Sequence, residues 1–347
     1  MSPRTQSAPA PSATRTVPPP VVAPPRYGPT SRRARTLAML VFLAVLVAWS
    51  VVLAPPRSTY QVFGFLFAGT VAWHIQAPWR DHLAFLRDWS LPLVLLTVYL
   101  YSRGIADDLG FATVHVTEPI EADRALFGGT LPTEALQGWL CGDPCLRTTQ
   151  PAWYDVGFTT VYYTHFVVAP VIAAVLWVRN RDAWVPFMRR YLSLNMLALV
   201  IYITYPMAPP WMAALDGYLT PDIARITARG WFDLSPASGL HHQMSVVSNK
   251  VAAMPSLHAG VAILVTAYAM LRMRHGSRLV QTLRWLLPLY PLLMSFTLVY
   301  YAEHYVVDVI AGLLAVVAVL VGCHLWERRY PDGWLAARRA RDTKASA

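Results

Sequence analysis

The stretch AAMPSLHAGVAILVTAYAM, residues Ala252–Met270, places a proline, a serine and a histidine directly before a run of apolar residues. A run of this kind predicts a helix, and its length approaches the roughly 20 residues that cross a bilayer. Pro255 suits the first turn of such a helix, Ser256 can cap its N-terminus, and His258 would then lie at its mouth. Gly260, one turn further on, allows close packing against a neighbour or close approach of a substrate.

The composition of the whole chain supports a membrane location for this helix. Of 347 residues, 55% are hydrophobic and only 14% are charged, and the mean hydropathy is +0.38. Such a chain is too apolar for a soluble domain. We therefore predict an all-α, polytopic integral membrane helix bundle. Its eight transmembrane helices are expected at about residues 36–54, 60–76, 88–104, 152–178, 190–207, 256–273, 284–301 and 305–326.

The same pattern divides the chain into four parts. Residues 1–35 are rich in Pro, Arg, Ala and Ser and too poor in apolar side chains to offset the entropy of ordering, which predicts a disordered, basic cytoplasmic tail. Two accessory transmembrane helices would fill residues 36–87. The other six helices would form the core membrane domain over residues 88–326, and residues 327–347 would form a second basic cytoplasmic tail.

The distribution of basic residues predicts the orientation of the bundle. With both termini in the cytoplasm, 22 of the 29 Lys and Arg residues lie on the cytoplasmic side, as the positive-inside rule requires. The chain would then be a multi-pass cell-membrane protein with long extracytoplasmic loops at about residues 105–151 and 208–255. Its net charge of +10 suits contact with anionic membrane lipids. No basic stripe is interleaved with stacking aromatic residues, so we expect no nucleic-acid partner.

Three cysteines occur in the chain. Cys141 and Cys145 flank a Gly-Asp-Pro turn in the first long loop, where a disulfide and two free thiols are both open interpretations. A zinc site is disfavoured, because no second Cys/His pair has matching spacing. Cys323 lies within an apolar run and is expected to be a small core residue.

A second polar cluster lies in the stretch VYYAEHYVVDVIAGLL, residues Val299–Leu314. His304 and Asp308 are four residues apart and would share one face of the last transmembrane helix, where the carboxylate can fix the imidazole tautomer. Ionisable residues within a membrane are costly and usually functional. Together with His258 at the same membrane face, this pair indicates an active site.

Several chemistries can be weighed against these residues. Metal catalysis is disfavoured because the H-E-x-x-H spacing is absent, and a nucleophilic Ser256 would require a G-x-S-x-G elbow that is also absent. The start of a helix at His258 would offer free N–H groups to an anion, and phosphate is the anion expected for a membrane enzyme. Nucleophilic catalysis on phosphorus needs one attacking imidazole, one acid and one orienting carboxylate, and two histidines and Asp308 supply these roles.

These motifs resemble those of a known family. PSLHAG resembles the P-S-G-H second signature of the type 2 phosphatidic acid phosphatase superfamily, and HYVVD resembles the H-x-x-x-D ending of its third signature. The resemblance implies that His304 is the nucleophile that forms a phosphohistidine, that Asp308 orients it and that His258 is the general acid. It also implies that no metal or other cofactor is required.

The sequence departs from the superfamily pattern where phosphate-binding cations are expected. Tyr202 and Pro209 stand at the Lys and Arg positions of the first signature, and Thr297 and Leu298 replace Ser and Arg in the third. The PMAPPW and PSLHAG segments resemble the branch that contains fungal inositol phosphorylceramide synthase. Members of that branch transfer a phospho-headgroup between lipids.

Another cation must therefore neutralise the phosphate. Lys250, eight residues before His258, is the preferred substitute, and Asn249 could act as a neutral donor. Arg225 and Arg229 share the loop but are weaker candidates, since ARITAR reads as an exposed amphipathic face. We interpret His241 and His242 as solvated histidines. Five tyrosines are interpreted as interfacial belt residues: Tyr162, Tyr163, Tyr300, Tyr301 and Tyr305.

The sequence as a whole predicts a membrane enzyme that acts on a lipid phosphate or phospholipid at the extracytoplasmic face. His258, His304 and Asp308 would be catalytic, and Ser256, Lys250, Asn249 and Pro255 would bind substrate. A phosphotransferase resembling the inositolphosphotransferases is preferred over a simple phosphatidic acid or polyprenyl phosphate phosphatase. A non-catalytic transporter or membrane scaffold is the alternative of another class. No feature of the sequence sets the oligomeric state.

The predicted orientation can be tested by cysteine labelling. A cysteine introduced at Ser248 should react with a membrane-impermeant thiol reagent in intact cells, whereas one at Ser277 should react only after permeabilisation. The reverse labelling pattern would overturn the orientation and, with it, the extracytoplasmic location of the site.

Overall fold

A computed structural model describes residues 30–53, 56, 59–106, 113–142, 144–145, 150–227, 229–232, 251–274 and 276–330. Both predicted tails lie mostly outside these ranges, but residues 32–35 and 327–329 belong to the first and last helices, so the helices extend past the predicted tail boundaries. Within them, the chain forms thirteen helices: α1 (Arg32–Val52), α2 (Thr59–Trp73), α3 (Trp79–Ala106), α4 (Thr117–Leu126), α5 (Pro132–Leu140), α6 (Trp153–Arg179), α7 (Arg181–Thr204), α8 (Pro210–Leu215), α9 (Arg229–Phe232), α10 (Leu257–Arg272), α11 (Arg278–Leu286), α12 (Leu289–Tyr300) and α13 (Val306–Arg329).

The prediction of an all-α membrane helix bundle is confirmed. Five segments in the described ranges are long and apolar enough to cross a membrane: Arg32–Ser50, Trp79–Ser102, Trp153–Arg179, Arg278–Tyr300 and Val306–Arg329. Tyr60–Trp73 and Leu257–Arg272 form shorter apolar helices. Helix α7 completes the set of eight predicted helices, although Arg189, Arg190 and Asn195 lower its hydropathy.

Two helices begin nine residues earlier than predicted. Helix α3 begins at Trp79 rather than 88, so the predicted domain boundary at residue 87 falls inside a helix, and α7 begins at Arg181 rather than 190. Hydropathy misses these turns because they are charged, but several of these charges form ion pairs. Asp88 lies 3.1 Å from Arg181, and Glu327 lies 2.7 Å from both Arg189 and Arg190.

The predicted helix at residues 284–301 is divided in the structure. Helix α11 ends at Leu286, and α12 begins at Leu289 with Pro288 as its N-cap residue. Proline lacks a backbone N–H, so the break falls where the hydrogen-bond ladder loses a donor.

Helix α10 occupies the centre of the bundle, where it packs against α6, α7, α12 and α13. Helices α10 and α13 begin at the same end, which we call the site end. The N-terminus of α6 and the C-terminus of α7 also reach this end, because Asp155 accepts a hydrogen bond from Tyr300 and Tyr202 donates one to Pro255. The short helices α4, α5, α8 and α9 follow or precede these termini, so the chain between the long helices covers the site end.

The starts of α10 and α13 meet through backbone contact. A Cβ atom added at Gly312 would lie 2.6 Å from the Ser256 carbonyl oxygen, closer than a carbon atom can approach without a backbone shift. One turn earlier on α13, the Asp308 carbonyl accepts a hydrogen bond of 3.0 Å from the Ser256 N–H. Gly260 faces the same crossing, with the Gly312 carbonyl 3.7 Å from its added Cβ. This is an ordinary van der Waals distance, so the crossing does not require glycine at position 260, and the expectation for Gly260 stays a prediction.

This crossing predicts different effects for two substitutions in one helix. Gly312→Ala should lower the melting temperature in detergent, because overpacking of a tight contact costs about 1–3 kcal/mol. Gly322→Ala is the matched control, since its added Cβ meets nothing within 4 Å. The control should be neutral or slightly stabilising, because alanine is favoured over glycine in a helix. Equal melting temperatures for the two variants would contradict the crossing.

Candidate active site

His304 and Asp308 are in contact, as predicted, but not on a shared helical face. His304 lies before α13, whose N-cap is Tyr305, and Asp308 is the third residue of the helix. Asp308 Oδ2 lies 3.3 Å from His304 Nδ1 and accepts a hydrogen bond of 2.9 Å from the Tyr305 N–H. An imidazole protonated on Nδ1 donates to this carboxylate and keeps the lone pair on Nε2 available for chemistry. Both side chains are buried.

His258 is the second residue of α10 and faces the same space. The centroids of the His258 and His304 rings are 6.0 Å apart. The His258 ring also stacks against His165, at 4.0 Å between centroids, and against Tyr162, at 5.0 Å. These two residues of α6 were not singled out as site residues from the sequence. Tyr162 and His165 lie three residues apart on one face of α6, and their rings hold the His258 imidazole in place.

Ser256 and Pro255 form the turn that precedes His258. Ser256 is fully buried and caps α10, since its hydroxyl oxygen accepts a hydrogen bond of 3.3 Å from the Ala259 N–H. The predicted cap is confirmed. Pro255 was expected in the first turn of the helix but precedes the N-cap residue instead. Its carbonyl accepts a hydrogen bond of 2.8 Å from the Tyr202 hydroxyl, so the residue at the signature Lys position anchors this turn.

Asp123, on α4, is a buried residue of the site that the sequence did not reveal. Its two carboxylate oxygens accept hydrogen bonds from the N–H groups of Val306, at 2.9 Å, and Val307, at 3.0 Å. It therefore caps α13 directly after His304 and supplies negative charge at the positive end of the helix. Burial raises the pKa of the Asp123 carboxyl, although the two N–H donors oppose that shift. No local pattern links residues this far apart in the chain.

A second buried network supports the site from α6. Asp155 accepts hydrogen bonds from Arg229 Nε, at 3.0 Å, and from the Tyr300 hydroxyl, at 2.9 Å. The Tyr301 hydroxyl bonds to Thr159 at 2.7 Å. The expectation that Arg229 lies on an exposed amphipathic face is therefore wrong, because its charge is paired with a buried carboxylate.

The interpretation of the tyrosines as interfacial belt residues is also wrong for four of the five. Tyr162 is buried, and Tyr300, Tyr301 and Tyr305 are fully buried. Tyrosine is amphipathic and suits a wet interface and a hydrogen-bonded core equally, so composition alone does not separate these locations.

Arg225 also differs from the prediction of an exposed face. Its guanidinium donates hydrogen bonds to both carboxylate oxygens of Glu303, the residue before His304. It also lies 4.8 Å from the centroid of the Trp211 ring, in a cation–π contact. The loop arginine is therefore tied to the segment that carries the nucleophile candidate.

Cys141 and Cys145 form a disulfide, which decides between the two interpretations left open by the sequence. Arg229 Nη1 lies 3.2 Å from Cys141 Sγ, so the disulfide loop packs against the Asp155 network. Cys323 is buried in the core, as predicted. Lys250, Asn249, His241 and His242 lie outside the described residues.

Comparison with known proteins identifies a family and a relative. The family model of the PAP2 superfamily matches residues 131–322, more than half of the chain and a range that contains both histidine motifs. The phosphoinositol dihydroceramide synthase of Bacteroides thetaiotaomicron is 22% identical over 294 residues, which cover 81% of this chain and 88% of the relative. No solved structure gives a significant match. The resemblance inferred from the signatures is confirmed, and the chain belongs to the PAP2 superfamily.

Proposed function

We propose that this protein is a membrane-embedded lipid phosphotransferase that works through a phosphohistidine at His304. Membership of the superfamily and similarity to a phosphoinositol dihydroceramide synthase identify the chain as a lipid phosphatase or phosphotransferase. This assignment replaces the alternative of a non-catalytic transporter or scaffold. The observation that carries the proposed mechanism is the buried His304–Asp308 pair, with the second imidazole of His258 6.0 Å away.

The first step of the proposed mechanism is attack on phosphorus. The Nε2 lone pair of His304 forms a bond to phosphorus while the bond from phosphorus to the leaving oxygen breaks. Rings whose centroids are 6.0 Å apart can both reach one tetrahedral phosphate group, so His258 is positioned to give a proton to the leaving oxygen. Asp308 holds the His304 tautomer and stabilises the positive charge that develops on its ring.

The second step resolves the phosphohistidine. An alcohol oxygen attacks phosphorus, His258 accepts the proton of that alcohol, and the bond between Nε2 and phosphorus breaks. Attack by water in place of the alcohol gives hydrolysis. Transferase and phosphatase therefore share one intermediate, and the nature of the acceptor decides the product.

We propose transfer of a phospho-headgroup of the phosphoinositol type to a lipid alcohol, at the extracytoplasmic face. The relative's name indicates this chemistry, and the matched range covers most of both chains. The positive-inside distribution of Lys and Arg supports the face. Hydrolysis of a lipid phosphate, such as phosphatidic acid or a polyprenyl phosphate, is the second candidate, because water is an adequate acceptor for the same intermediate.

Substitutions at His304 and Asp308 should differ in severity. His304→Ala should abolish turnover because the attacking atom is removed, whereas Asp308→Asn should leave a trace of activity. The expected loss for Asp308→Asn is about a thousandfold or more in kcat, by analogy with catalytic triads. His324→Ala is the matched control, since His324 is exposed on α13, the helix that carries Asp308 and follows His304. Full activity in His304→Ala would contradict the mechanism.

The acceptor assay separates transfer from hydrolysis. Purified enzyme is given a phospholipid or lipid phosphate labelled on phosphorus, with inositol, ceramide or a glycan as acceptor. An effective acceptor should take up the label, as a new lipid with ceramide or as a new water-soluble phosphate ester with inositol or a glycan, and should lower the yield of the hydrolysis product, while substrate consumption stays equal or rises. The hydrolysis product is inorganic phosphate when the donor is a lipid phosphate, and the phosphorylated headgroup when the donor is a phospholipid. Label found only in the hydrolysis product with every acceptor would favour the phosphatase. New labelled lipid in both His258→Ala and His304→Ala would remove these residues from the chemistry.

A further inference from the structure

The site lacks the cations that the superfamily signatures place around phosphate. Tyr202 and Leu298 occupy two of those positions, and both are buried. The Tyr202 hydroxyl is bonded to the Pro255 carbonyl, and Leu298 packs in an apolar cluster with Tyr300 and Tyr301. These side chains cannot neutralise a phosphate dianion, so positive charge must reach the site from another segment.

Three arginines have described side chains at the site end. Arg124 is exposed on α4, and Arg229 is committed to Asp155 with a side chain only 4% exposed. Arg225 differs from both: its side chain is 24% exposed, and that of its partner Glu303 is 12% exposed. An ion pair at this depth is shielded from bulk water but remains reachable from the site end.

The surroundings of Arg225 connect it to both histidines. Glu303 is bonded to His304 through the chain, so the guanidinium is held beside the nucleophile candidate. On the other side, Ala224 and Ile226, which flank Arg225, pack in the apolar cluster that contains Tyr162, and Tyr162 stacks on His258. Burial acts to lower the pKa of the guanidinium, but Glu303 outweighs it and the net shift is upward. Arg225 is therefore a permanent cation between the neighbours of the two imidazoles.

We propose that Arg225 binds the phosphate of the substrate, and that Glu303 occupies the guanidinium in its absence. A phosphate presents two oxygens to the planar guanidinium fork in the same way as a carboxylate, so one anion can replace the other on the same donors. The contact with Trp211 keeps the guanidinium plane in position during this exchange. This inference rests on the proposed function, because it assigns a ligand to the same site.

Competition between Glu303 and phosphate gives the two partners opposite roles in binding. Removal of the Arg225 charge takes away the donor, whereas removal of the Glu303 charge takes away the competitor. If the pair only stabilised the loop, both substitutions would lower the melting temperature in the same way, because removing either partner of a partly buried ion pair leaves one unpaired charge. Phosphate affinity and melting temperature together separate these roles.

The test measures binding of inorganic phosphate to the purified full-length protein, from the rise in melting temperature with phosphate concentration. Arg225→Gln should weaken phosphate binding by about 10- to 100-fold, the range expected for loss of a charged hydrogen-bond donor. Arg225→Lys should retain part of the affinity, because lysine keeps the charge but loses the fork. Glu303→Gln should tighten binding, and Arg124→Gln is the matched control, with wild-type affinity expected.

Two results would overturn the proposal: wild-type phosphate affinity in Arg225→Gln, or weaker binding in Glu303→Gln. If Arg225→Gln does not fold, phosphate affinity is measured in Glu303→Gln and Arg225→Lys instead. The proposal still requires Glu303→Gln to bind phosphate more tightly than the wild type. Labelling of His304 with substrate phosphate is measured in parallel. Normal labelling of His304, together with unchanged phosphate affinities in the Arg225 and Glu303 variants, would reject only the role of Arg225. Undiminished turnover in His304→Ala would reject the proposed function itself.

Discussion

The rest of the site depends on the backbone contact between the starts of α10 and α13. Gly312 lets the two helices approach until the Ser256 carbonyl occupies the space of a missing Cβ, and the Ser256 N–H bonds to the Asp308 carbonyl. His258 and His304 come from segments more than 40 residues apart, and this contact sets the distance between them. The proposed mechanism has two imidazoles act on one phosphorus atom and so requires a fixed separation between them, and a contact between backbones varies less than one between flexible side chains.

The chain between the long helices fixes the orientation of the site. Asp123 caps the start of α13 from one loop, and Arg229 reaches Asp155 from another. The disulfide between Cys141 and Cys145 packs against the same arginine. Each of these groups is a buried charge or helix cap, and leaving it without a partner would cost free energy of folding. The loops therefore cannot move away from the site without breaking these pairs. Segments that look like connections in the sequence are therefore structural parts of the site.

Charge at this end of the bundle is arranged in local pairs. Asp155 is matched by Arg229, Glu303 by Arg225, and Asp308 lies next to His304. Pairing allows ionisable groups to persist where water is scarce. It also allows an incoming anion to exchange with one already present, which costs less than creating an isolated charge in the same place. The absence of the signature cations is thus compatible with phosphate chemistry in this chain.

Much of the fold was readable from the sequence because membrane helices are specified by local composition. A bilayer requires long apolar runs, so each predicted transmembrane segment corresponds to helix in the structure, and the largest differences occur where a run meets paired charges, as at Asp88, or a proline, as at Pro288. The His304–Asp308 contact was likewise readable, since four residues separate its members. Superfamily membership followed from the two short motifs.

The sequence by itself therefore determined the helices, the family and the identity of the candidate catalytic residues. Only the tertiary structure brought His165 and Tyr162 against His258, Asp123 to the start of α13, and Arg225 to Glu303. These contacts join residues far apart in the chain, and a single sequence carries no periodicity or spacing that records them. The sequence does not distinguish a buried tyrosine from an interfacial one, or a paired arginine from a solvated one. The tertiary packing determines which environment each residue has.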